Sequence, residues 1–129
     1  MNSDLISLTI LALWGVVINH IPAIARVVHS NVAWGMGNRQ ISPDVPAWVE
    51  RADRAQRNHH DNIAAIAIVI LIAQVLGKAD AITGIAAIVI VTSRILHSLT
   101  YIFGIVGLRS LAYFVALGAL LVIVWRLFI

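Results

Sequence analysis

The chain has 129 residues, 60% hydrophobic and 12% charged, with a net charge of +3. A soluble domain carries about twice that charged fraction, so the composition belongs in a bilayer, and the length supports one small domain. There is no cysteine, which excludes disulfides, thiolate catalysis by the chain itself and cysteine-based metal sites. The nine basic residues form no tail or run, and nucleic acid is not an expected partner.

A spanning helix needs roughly 20 apolar residues. The first candidate is "LISLTILALWGVVINHIPAIA", residues 5–25. "AIA" looks like a signal-peptide cleavage site. However, Asp4 precedes the run without any Lys or Arg, and the run is long for a signal sequence. His20–Ile21–Pro22 reads as a kink near its end. A loop with Gly35, Gly37, Pro43 and Pro46 follows, at about residues 27–46. The second span covers residues 47–76, the third 81–104 and the fourth 108–129. The links "GKAD" and "IVG" are short enough to make spans two to four antiparallel neighbours. The expected fold is an all-α integral membrane protein, a single domain forming a four-transmembrane-helix bundle.

Lys and Arg near the span ends set the orientation. Arg26, Arg39, Arg51, Arg54, Arg57 and Arg109 lie on the side of the first loop, and Lys78 and Arg126 on the other. This bias places the first loop in the cytoplasm. Arg94 lies within span three, toward the same end. The polar residues then gather at one leaflet. Arg26 closes span one, "ERADRAQRNHHDN" (residues 50–62) opens span two, Arg94, His97 and Tyr101 end span three, and Arg109, Ser110 and Tyr113 open span four. The opposite leaflet reads as nearly bare.

Helical geometry puts Glu50, Arg54, Arg57, Asn58 and Asp61 within about 100° of arc, and Arg94, His97, Ser98 and Tyr101 within a similar arc. A charge in hydrocarbon costs at least ~2.5–3.5 kcal/mol, so these faces must look into protein or a wet cavity. Glu50–Arg54 and Arg57–Asp61 have the i,i+4 spacing of ion pairs. Arginine remains in surplus, and guanidinium groups suit carboxylates and phosphates. Arg51, Arg54 and Arg57 also fit snorkelling anchors. Arg94 lies deeper, where snorkelling is harder and function is favoured. His59 and His60 are adjacent, point apart on a helix and do not make a metal pair, so no metal is expected.

"ERADRAQRNHHDN" resembles the opening of the second helix in the MAPEG family, the membrane-associated proteins in eicosanoid and glutathione metabolism. The pattern there is E-R-x-x-R-A-x-x-N-x-x-E, matched by Glu50, Arg51, Arg54, Ala55 and Asn58, with Asp61 in place of Glu. "RILHSLTYIFGIVGLRSLAY" resembles the second signature, R-x-x-H-x-x-x-Y, a short turn, then R-S. Arg94, His97, Tyr101, Arg109 and Ser110 fit it.

The resemblance implies a homotrimer binding glutathione at the cytoplasmic side between subunits. By the same analogy Arg54, Arg57, Asn58 and Asp61 would hold its polar and carboxylate groups, and Arg26 would come from a neighbouring subunit. Arg94, His97 and Tyr101 would line the pocket. Arg109 would stabilise the thiolate, with Tyr101 or Ser110 as alternative donors. The second substrate would be a lipophilic electrophile or hydroperoxide arriving from the membrane lipids. Glutathione-dependent transfer or peroxide reduction is therefore the expected activity, with a bacterial inner membrane as the setting. Two other functions compete. One is a non-catalytic protein of the same fold that binds an anionic ligand or lipid, or acts as an adaptor. The other is a small transporter, which needs a polar path through both leaflets.

Overall fold

The computed structural model describes residues 2–129. Five helices follow in order: α1 Ser3–His29, α2 Val32–Met36, α3 Ala47–Val75, α4 Ala81–Phe103 and α5 Val106–Leu127. The four long helices fall where the apolar segments were expected, with shifted ends. α1 runs through Pro22 and reaches His29, past the expected end at residue 25. The first loop holds the short α2, capped by Asn31, whose side chain accepts from the Trp34 amide at 2.8 Å. α5 begins at Val106, inside the expected link, because Gly104 alone turns the chain. Its φ of +78° is a left-handed helix stop that glycine adopts without strain.

α4 is the centre of the bundle. It packs most extensively on α5 and also on α1 and α3, whereas α3 and α5 meet little. In its apolar window 56% of residues are buried, against 28% for α1 and 17% for α5. Small residues allow this: Ala86 and Ala87 on α4 pack in a core cluster with Leu11, Ile66, Ile70 and Ile90. A second cluster of Ile18, Ala52, Ala55 and Ile102 closes the end nearer the first loop. Outward-facing large apolar residues are numerous, including Leu13, Val17, Ile68, Ile85, Phe114 and Leu121. A water-soluble monomer does not expose apolar surface on this scale. By length and composition α1, α4 and α5 are each able to cross a membrane. α3 differs because its first half carries the charge cluster.

Two sequence expectations are corrected. Among the described residues, Glu50–Arg54 and Arg57–Asp61 form no ion pairs. Glu50 is instead taken by Arg26 of α1 at 3.0 Å, and Arg26 also pairs with Asp53. A cross-helix arginine that bridges two carboxylates outcompetes a local pair along an exposed helix face. The end remote from the first loop is also not bare. There Asn2 donates to Gln74 at 2.8 Å, Asp4 is buried, and Arg126 pairs with Asp80. Asp80 also caps α4, accepting from the Ile82 and Thr83 amides at 2.9 and 3.0 Å. These residues lie near the ends and in one turn of the sequence, so only antiparallel packing brings them together.

Candidate functional site

Because α3 and α5 meet little, a cleft remains between them, floored by α4. Arg94 forms the floor, only 2% exposed. Its Nη2 donates to the Asn58 main-chain carbonyl at 3.0 Å and to Asn58 Oδ1 at 2.9 Å. A cavity of about 40 Å³ adjoins it, lined by Asn62, Ala65, Ile66, Tyr113, Ala116, Leu117 and Leu120 as well as Arg94. That is room for about one water.

One turn beyond Arg94, His97 is buried. Its ring lies edge-on to Tyr101, centroids 5.7 Å apart, and 6.1 Å from Tyr113. The Arg109 guanidinium covers the other partner, 4.5 Å from the Tyr101 ring centroid. This is a cation–π contact. The α4–α5 turn makes it possible, since Gly104 reverses the chain between Tyr101 and Arg109. The turn is held from α3, where Arg51 Nε donates to the Ile102 carbonyl at 2.8 Å. A Cβ at Gly104 would meet Arg51 Nε at 3.5 Å.

The remaining candidates fall into two groups. Arg54, Arg57 and Asp61 are exposed on α3. Arg26 is occupied within its own chain by Glu50 and Asp53, and the Ser110 hydroxyl donates to the Val106 carbonyl at 3.1 Å. Among the described residues, no carboxylate pairs with Arg54, Arg57, Arg94 or Arg109. The first-loop end therefore carries a surplus of cations, which suits it to an anion.

The match to the model of the MAPEG family covers residues 5–129. The chain belongs to the MAPEG family. This family is one of membrane proteins that includes glutathione-dependent transferases and peroxidases. A comparison with curated proteins gives no match. Both MAPEG signatures thus lie on elements that meet. The first supplies Asn58 to Arg94, and the second supplies the stack of Tyr101 and Arg109.

Three residues in or around the candidate site carried too little signal in the sequence to be given a role. Tyr113 shares the cavity with Arg94; the sequence placed it with the polar residues that open span four but gave it no role. Trp14 of α1 donates to Ser98 Oγ at 3.3 Å, and Ser98 donates to the Arg94 carbonyl at 3.0 Å. A lone tryptophan in an apolar run gives no hint of that bond. His59 is 1% exposed and its Nε2 meets the Leu11 carbonyl at 3.2 Å, while His60 is exposed. The pair thus splits between the interior and the surface. The close approach to α1 occurs at Gly15, where a Cβ would lie 3.2 Å from His59 Nε2.

Proposed function

We propose that this MAPEG protein is a glutathione-dependent membrane transferase or peroxidase. It crosses the membrane four times, assembles as a homotrimer and works at the cytoplasmic side of a bacterial inner membrane. The observation that carries this reading is Arg109, a guanidinium stacked on Tyr101 and without a carboxylate of its own.

The chemistry follows from that placement. A free thiol has a pKa near ~8.5, and its thiolate is the nucleophile. A guanidinium in a site of low dielectric favours the thiolate. In a transfer, the glutathione sulfur forms a bond to an electrophilic carbon, and the leaving group departs with the electron pair of the broken bond. In a peroxide reduction, the sulfur attacks the outer oxygen of a hydroperoxide and an alcohol leaves. A second glutathione then displaces water from the sulfenic acid and the disulfide forms. Arg54 and Arg57 suit the carboxylates of glutathione, Asn58 its acceptors and Asp61 its amine. Asp61 is one methylene shorter than the glutamate of the family pattern, so it reaches less far.

The trimer reading rests on what one chain lacks. A tripeptide needs a pocket of several hundred Å³, and the partly open cavity beside Arg94 offers only about 40 Å³. The exposed polar face of α3 also needs cover within a bilayer. A neighbouring copy supplies both. The K/R bias supports the cytoplasmic side.

The test is turnover with glutathione by the protein reconstituted in vesicles, against a panel of lipophilic electrophiles and hydroperoxides. Glutathione-dependent product formation is expected. Saturable binding of an anionic lipid, with no turnover by a folded oligomer, would instead establish the non-catalytic reading.

A further inference from the structure

Arg94 is the largest fully buried side chain among the described residues. A guanidinium taken out of water normally meets a carboxylate, because an unpaired buried charge is costly. This one meets an amide. Its Nη2 donates to both oxygens of Asn58, at 3.0 and 2.9 Å. The same main-chain carbonyl also accepts from Asn62 Nδ2 at 2.8 Å.

Arginine has donors and no acceptor. The Asn58 atom facing it must therefore be the oxygen, and rotating the amide would set an NH2 group against a guanidinium. The orientation of Asn58 is thus dictated by Arg94. Its Nδ2, with two hydrogens, is turned away from Arg94 and makes no hydrogen bond among the described residues. Asn58 is only half-buried, whereas Arg94 is buried beneath it, edging the small cavity with its Nε unpartnered.

We propose that Arg94 is a positioning residue that locks the Asn58 amide as a donor toward the cleft, so that Asn58 accepts only ligands presenting a carboxylate or peptide carbonyl at that point. Arg94 itself does not touch the ligand. The identity of that ligand as glutathione rests on the function proposed above. The family resemblance implied that Asn58 holds the ligand and that Arg94 lines the pocket beside it.

The arrangement has an unusual consequence for one substitution. Asn58→Asp offers Arg94 the carboxylate it lacks while removing both amide donors from the cleft. Stability and binding should then move in opposite directions.

The experiment measures glutathione affinity by calorimetry, and Tm in detergent, for the wild type, Asn58→Ala, Asn58→Asp, Arg94→Met and the double variant Asn58→Ala/Arg94→Met. Arg94→Lys is the substitute should Arg94→Met not fold. Each single loss of the clamp should weaken binding by roughly 10- to 100-fold, the worth of a hydrogen bond to a charged group. The double variant should be no weaker than Asn58→Ala alone. Asn58→Asp should hold or raise Tm and lose binding. Losses that multiply in the double variant mean that Arg94 contacts the ligand directly, and they overturn the proposal with the glutathione reading intact. A fall in Tm for Asn58→Asp also overturns it. Absence of glutathione binding by the folded wild type sinks both.

Discussion

The two ends of the bundle handle charge in opposite ways. At the end remote from the first loop, each acid has a nearby base or a helix terminus. Arg126 meets Asp80, and Asp80 caps α4. Asp4 lies in the first turn of α1, where the helix dipole favours it. At the other end, only Arg26 is matched, by Glu50 and Asp53. Arg94 is met by an amide, Arg109 by an aromatic face, and Arg54 and Arg57 by no carboxylate among the described residues. At the remote end Arg126 is matched by Asp80, whereas Arg54, Arg57 and Arg109 at the first-loop end are left without a carboxylate and Arg94 is turned to hold Asn58.

Substitutions at the two ends should therefore act on different properties, activity at one and stability at the other. The largest expected effect comes from Arg109→Ala. It should lower glutathione-dependent turnover roughly 10²- to 10³-fold, as loss of a preorganised charge-stabilising donor does, with little change in Tm. Arg126→Gln at the other end should do the reverse, lowering Tm while turnover stays within about twofold of wild type. A variant of Arg109 that unfolds the protein but spares turnover would reverse the assignment of roles.

Arg26 sharpens the contrast within the first-loop end. Its two carboxylate partners mark it as structural in its own chain. Arg26→Met should cost roughly 1 kcal/mol in denaturant unfolding, discounted because Glu50 is half exposed, and should leave glutathione affinity unchanged. Affinity lost with stability kept would give Arg26 to the ligand instead. Trp14→Phe removes one hydrogen bond to the buried Ser98 and should cost about 1 kcal/mol, readable as a lower denaturation midpoint.

The smallest effect is a pH dependence. Amide donation from Thr83 holds the Asp80 carboxyl below its usual range against the opposing effect of burial, and Arg126 adds to it. The folded value thus lies below the unfolded one of about 3.9. The stabilisation is fully present above the unfolded value and disappears as pH falls through the folded one. Asn retains the cap, so Asp80→Asn should flatten the acid side of the Tm–pH curve. An unchanged curve means that Asp80 does not contribute to acid stability.

The sequence made the helices legible because apolar runs of spanning length have few alternative structures. It also made the first-loop end legible, since Glu50 to Asp61 and Arg94 to Ser110 are contiguous and in phase with a helix. What it hid were relations across the bundle. The i,i+4 spacing of Glu50 and Arg54 is visible in the sequence, but the stronger competitor, Arg26, lies 24 residues away. Asp80 and Arg126 are 46 apart, and neither belongs to a motif. Arg94 announced itself as a buried charge in surplus, with no acidic partner in the sequence. Only the depth of α4 against α3 selects the amide.

The most direct measurement of the central claim is thiolate absorbance at the ultraviolet edge as glutathione is titrated into the detergent-solubilised protein, with Arg109→Ala alongside. A saturable thiolate signal in the wild type, absent from the variant, is the predicted result. A folded wild-type oligomer that gives no signal, or a variant that gives the same one, would contradict the account of Arg109.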